Sequence, residues 1–162
     1  MNKEQKMERK CIPYFPLFVD ISGKKVYVVG AGTIANRRIR TLSDFTEHLY
    51  VIAPEVNPEL INMENDGLLT ILRKKYEDGD LADADMVIAA TNDHKTNEEI
   101  YVYCREKGIL VNVCSDKDMC DFYFPGLIMK DNIVVGVTAN GTNHKAARKA
   151  ADEIREMFEK WK

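Results

Sequence analysis

Val26-Tyr27-Val28-Val29-Gly30-Ala31-Gly32-Thr33-Ile34-Ala35 is a short apolar run that breaks into G-x-G-x-x-A and passes straight into an amphipathic stretch. Each small residue has a physical task in a strand–turn–helix unit. Gly30 permits the tight turn off the strand, and Gly32 lets backbone approach a pyrophosphate where a Cβ would intrude. Ala35 lets the helix lie close on the sheet. Unpaired N–H groups and the dipole at the start of such a helix favour phosphate. A glycine turn alone is a weak signal. Here the strand, loop, helix and next strand follow in the required order, so the expectation is a dinucleotide bound at Gly30, Gly32, Thr33 and Ile34.

Outward from this loop, short apolar β-branched runs recur at Lys25–Val29, Leu49–Ile52, Leu69–Leu72, Met86–Ala90 and Leu110–Cys114. Such runs suit parallel strands covered on both faces. Helical patterns lie between them, one from about Thr33 to Phe45 and one from about Lys95 to Lys107, the latter stopping at Gly108. The segments after the second and third strands carry weaker helical patterns. The alternation predicts an α/β fold, a Rossmann-like doubly wound parallel sheet. After Cys120 the pattern changes. Phe122–Met129 and Ile133–Thr138 are β-rich, with Lys130-Asp131-Asn132 between them as a hairpin loop. Ala147, Ala150, Ala151, Ile154, Met157, Phe158 and Trp161 then recur at helical spacing. This gives three regions: a polar tail at 1–12 expected to be disordered, a nucleotide-binding domain with its hairpin at 13–142, and a C-terminal helix at 143–162. That helix reads as packing against a core, although its end at Trp161 offers a surface for a homodimer.

The 162 residues carry a formal charge of −3, are 45% hydrophobic and 30% charged, and no global positive field exists to draw nucleic acid or a membrane surface. No apolar run approaches the ~20 residues needed to span a bilayer. Cys11, Cys104, Cys114 and Cys120 form no C-x-x-C pair, and no leader precedes them, so reduced thiols and a cytoplasmic location are expected. Cys114, Cys120 and His144 match no zinc spacing, and no metal is assigned.

Two further turns fall where a nucleotide would be completed. Pro54-Glu55 ends the second strand near the place where an acid grips the ribose 2′-hydroxyl of NAD, and no arginine follows to welcome a 2′-phosphate. Thr91-Asn92-Asp93 follows the fourth strand, and reads equally well as a nucleotide contact or as a helix N-cap.

Together these segments resemble the precorrin-2 dehydrogenase family, the N-terminal module of siroheme synthase. The matching stretches are Tyr14–Ile21 with Gly23, the glycine loop with Arg37-Arg38-Ile39-Arg40, Val51–Glu55, Ala89–Asp93 with Asn97, Gly108–Val113 and Cys120–Pro125. The resemblance implies NAD-dependent oxidation of precorrin-2, an eight-carboxylate tetrapyrrole, to sirohydrochlorin. It implies NAD contacts at Gly30, Gly32, Thr33, Ile34, Pro54 and Glu55. The chemistry needs a hydride acceptor and a group that takes a proton, for which a carboxylate suits. Many members carry an aspartate directly after the asparagine–valine strand. Ser115 holds that position here, with Asp116 next, and these two are the catalytic candidates. Arg37, Asn112, Asn140 and Gly141 are the substrate-binding candidates, with Arg38, Arg40 and Arg148 as further basic residues; on a helix such charges more often form a solvated face. Thr138-Ala139-Asn140-Gly141 lacks a serine that the family often has. Members run on into a helical region that builds the dimer and encloses the tetrapyrrole; the chain stopping at Lys162 leads to the expectation that metal insertion is not among its activities. The second reading, from a different class, is a non-catalytic NAD-binding sensor or subunit of tetrapyrrole metabolism. An unrelated dehydrogenase of this fold leaves Phe122–Pro125 unexplained.

Overall fold

A computed structural model describes residues 14–140 and 142–161; the expected tail at 1–12 and Gly141 lie outside them. Val26–Val29 forms β1, buried along its whole length, because it sits at the centre of a five-stranded parallel sheet with both faces covered. It pairs on one side with β2 (Leu49–Ile52) and on the other with β4 (Met86–Ala89); β3 (Thr70–Leu72) and β5 (Leu110–Val113) are the edges. The order β3-β2-β1-β4-β5 is that of a doubly wound sheet, and it reverses beside β1, where ligands of such folds sit. The strands match the expected runs to within one residue at each end.

The crossovers are uneven. Helix α1 (Thr33–Leu42) follows β1, burying Ala35, Ile39 and Leu42. Helix α2 (Pro58–Asn65) follows β2, with proline at its start and the Asn57 side chain capping Leu60 N at 3.0 Å. Between β3 and β4 the weak pattern yields turns rather than a helix, and a single buried residue, Leu81, plugs that side of the sheet. Helix α3 (His94–Lys107) returns to β5, capped by Asp93 and closed by Gly108 at φ +70°.

The second, smaller unit is a hairpin, β6 (Gly126–Lys130) against β7 (Ile133–Val137), covered by α4 (His144–Glu159). Its core is Ile128, Ala151 and Phe158. The β-rich run from Phe122 does not begin a strand until Gly126. The reason is tertiary. Asp121 pairs with both polar groups of the Val111 backbone, and Asn112 donates to the Phe122 carbonyl at 2.7 Å. Phe122 and Phe124 are thereby turned inward against the main core. Trp161 lies just past α4, half exposed, with its ring 4.9 Å from that of Phe158.

Candidate active site

The glycine loop sits at the carboxyl edge of the sheet, where Gly30 N donates to Ile52 O of the neighbouring strand. Its two glycines do different work. Gly30 has φ +108°, and a Cβ there would stand 2.5 Å from the Ala90 carbonyl oxygen, so it exists for the turn and for the packing of β1 against β4. Gly32 has an ordinary φ of −74°, and nothing lies within 4 Å of where its Cβ would be. The space it leaves is open. At α1 no side chain caps the N terminus and no acid lies in the first turn, whereas Asn57, Asp93 and Asn143 cap α2, α3 and α4. A pyrophosphate would supply what is missing at α1, and the residues present fit one.

Pro54 and Glu55 stand exposed just past the end of β2, and Asn92 stands exposed past β4, on the same edge as the loop. Asp93 is the N-cap of α3, so one of the two readings of that turn holds for it. Thr91 is held by the buried Asn97. The Asn97 amide accepts from Thr91 N at 3.2 Å and Thr91 Oγ1 at 2.7 Å, and donates to Thr91 O at 3.1 Å and to Ser115 Oγ at 3.4 Å. One side chain thus joins the nucleotide edge to the first catalytic candidate. Asn97 belongs to the resemblance, but its bridging role has no local sequence signal.

Beyond the loop, a cleft of about 1090 Å³ opens between α1 and the hairpin unit. Ile34, Arg37, Arg38 and Thr41 line one wall, at the spacing of a single helix face; His144, Ala147, Arg148, Ala151, Asp152 and Arg155 line the other in the same way. Its floor is the end of β5 with Ser115, Asp116 and Lys117, and its lip is Tyr123 to Leu127. The cleft therefore brings Arg37, Asn112, Ser115, Asp116, Arg38 and Arg148 together. Arg40 is not among its walls; it pairs with Glu59 at 2.9 Å. Asn140 also stands outside, at φ +51°, accepting from Tyr14 N at 3.3 Å, which ties the N-terminal segment to the end of the hairpin unit. The cleft holds arginines 37, 38, 148 and 155 with Lys117 against Asp116 and Asp152, in a chain of net charge −3. Its local field is the reverse of the molecule's.

Asp116 Oδ1 accepts from the Asp118 N–H at 2.9 Å, and among the described residues Oδ2 accepts no hydrogen bond. Asn112 is buried, and both ends of its amide go to the protein: to Arg38, to the Phe122 carbonyl and to Cys120 Sγ. Its role is to shape the lip and to hold Arg38. Cys114 and Cys120 also line the cleft, but burial pushes both thiols up, so neither is an activated nucleophile.

A parallel sheet in this order with a glycine loop on its switch point defines a dinucleotide-binding protein. Residues 17–126 match the model of the family described as "Putative NAD(P)-binding", and the chain belongs to that family. It is 44% identical over 144 residues to the "Probable multifunctional siroheme biosynthesis protein HemA" of Ruminiclostridium josui, covering 88% of this chain and 28% of that one. It is 32% identical over 135 residues to the siroheme synthase of Nitrosococcus oceani, covering 83% and 29%. The chain thus spans under a third of the length of these curated relatives. Among solved structures, "SirC, precorrin-2 dehydrogenase" superposes with a TM-score of 0.77 at 26% identity, covering 90% of this chain and 71% of that one. The whole arrangement, sheet, hairpin and C-terminal helix, is shared with it. Among the described residues, no helix is long and apolar enough to cross a membrane.

Proposed function

We propose that this chain is an NAD-dependent precorrin-2 dehydrogenase, oxidising precorrin-2 to sirohydrochlorin in the cytoplasm as a homodimer. The observation that carries the reading is the cationic cleft. It opens directly beside the helix that would hold the pyrophosphate, and it suits a large polycarboxylate in a chain that is otherwise acidic. Similarity to siroheme synthases and to a precorrin-2 dehydrogenase supports the same substrate. The absence of an arginine at Pro54-Glu55 favours NAD over NADP.

Gly30, Gly32, Thr33 and Ile34 would hold NAD+, which would supply the hydride acceptor. The balance of the oxidation leaves one proton to be taken from the substrate, and Asp116 is the carboxylate on the cleft floor able to take it. Ser115 hydrogen-bonds Asn97 and orients the substrate beside it. Arg37 and Arg148, exposed on opposite walls, draw the substrate's carboxylates toward the cleft.

The second reading is a non-catalytic NAD-binding sensor or subunit. It is favoured by Ser115 at the family's usual aspartate position, and by the cap that Asp116 makes to Asp118. Anaerobic incubation of the chain with precorrin-2 and NAD+ separates the two. The enzyme reading requires the sirohydrochlorin spectrum to appear with stoichiometric NADH; NADH binding without turnover leaves only the sensor or subunit. Asp116→Asn is expected to lower kcat by about 10²–10⁴-fold, the usual contribution of a general base, with NADH affinity unchanged. Turnover at the wild-type rate removes Asp116 from the mechanism.

A further inference from the structure

Arg38, on the face of α1 toward the cleft lip, differs from most of the described arginines in lacking a carboxylate, and from the exposed Arg37 in being largely buried. Arg40, Arg73, Arg105, Arg148 and Arg155 each pair with a carboxylate. Among the described residues no carboxylate pairs with Arg38, although it is largely buried. Its guanidinium lies 5.0 Å from the centroid of the Phe124 ring, and Nη1 donates to Asn112 Oδ1. Nε is buried with no acceptor at all. Phe124 and Asn112 are themselves fixed, the first by the main core and the second by its bonds to Phe122 and Cys120.

A guanidinium stays charged in proteins, and burying it without a counter-ion is costly. Here burial opposes the charged form most strongly and the neighbouring Arg37 adds to it; the thiols of Cys114 and Cys120 act the other way, but no carboxylate does. Stacking on an aromatic ring with one nitrogen tied to an amide holds the plane still, which is the geometry that recognises a carboxylate. The missing partner is therefore an anion brought by the ligand.

We infer that Arg38 is the anchor for one peripheral carboxylate of the macrocycle, and that it sets where the macrocycle lies along α1. Arg38 is one helical turn from Ile34, or about 6 Å along the axis from the end that holds the nucleotide. Fixing a carboxylate there fixes the distance between the reacting carbon and the nicotinamide. Arg37, the neighbour, is exposed and supplies general attraction without that register. The inference rests on the cleft being a tetrapyrrole site, and deepens it by naming the residue that selects the substrate's orientation.

The test measures binding of uroporphyrin, a stable macrocycle with eight carboxylates, by its own fluorescence, beside NADH binding to the same samples. Arg38→Met is expected to weaken uroporphyrin binding at least tenfold with NADH affinity unchanged. Arg38→Lys, which keeps the charge and loses the plane, should recover part of the loss. Arg37→Met should weaken binding less than threefold. Wild-type uroporphyrin affinity in Arg38→Met overturns the inference. So does failure of that variant to fold, since Arg38 would then be structural. Absence of uroporphyrin and precorrin-2 binding in the wild-type chain instead overturns the reading of the cleft itself.

Discussion

Gly30 and Gly32 look alike in the motif but resist substitution for opposite reasons, and this separates stability from binding. Alanine at Gly30 must adopt φ +108° and push its Cβ into the Ala90 carbonyl. Gly30→Ala should therefore cost about 2 kcal/mol or more of folding stability, read from urea melts. Alanine at Gly32 meets no atom and keeps an ordinary φ. Gly32→Ala should melt within a degree or two of wild type, yet lose about tenfold or more in NADH affinity, because the methyl occupies the phosphate's approach. Equal NADH affinity would mean that the pyrophosphate does not sit at α1. The turn at Gly30 was legible from spacing alone, and the same spacing marks Gly32 as the place where a phosphate is expected to approach. Arg38 was legible only as one basic residue in a run of three, because its burial depends on Asn112 and Phe124, which are more than 70 residues away in the chain. Asn97 was opaque for the same reason, since its partners lie at the ends of two different strands.

At the scale of elements, the sheet and its major helices could be read from period and caps, since the central strands β1 and β4 are runs buried throughout and β2 nearly so. Two elements were misjudged, and each time long-range packing decided. The Phe122 run holds β-formers, but Asp121 and Asn112 spend its first residues on β5 before a strand begins. The β3–β4 crossover is filled by Leu81 without a helix. Helix α3 offers a measurable consequence of its packing. Cys104 is buried on its inner face, and burial pushes the thiol up to about 12. In the unfolded chain the thiol ionises near 9, so above that pH the unfolded state binds fewer protons and is favoured. Stability should hold level to about pH 9 and then fall as pH rises. In Cys104→Ala the alkaline slope should be shallower than in wild type; identical slopes in urea melts from pH 7 to 11 would show that Cys104 carries no linkage.

The whole molecule poses a question of exposure that the fold of one chain does not answer. Along the segment from Tyr14 to Val19, Phe15 is 85% exposed, Leu17 73% and Phe18 74%, and they follow one another with only Pro16 between. Scattered apolar residues on a surface need no explanation, whereas a contiguous group of this size marks an interaction surface or an aggregation hazard. The segment is not loose. Tyr14 donates its hydroxyl to the Cys120 carbonyl at 3.1 Å, and its ring lies 4.0 Å from that of Tyr123 at the cleft lip. An extended strip anchored beside the cleft, with its apolar side chains turned out, is suited to docking on a second copy, and this supports the homodimer we propose. Sedimentation equilibrium at micromolar concentration should give twice the 18.5 kDa chain mass. The double variant Phe15→Asp, Phe18→Asp should sediment as a monomer, because a charge facing an apolar partner loses its hydration without compensation. Neither residue touches the glycine loop or lines the cleft, so NADH affinity should not change. A wild-type chain that sediments as a monomer, or a variant that remains dimeric, would assign the strip to another partner. If precorrin-2 turnover falls in the monomeric variant while NADH binding holds, the second copy contributes to closing the cleft.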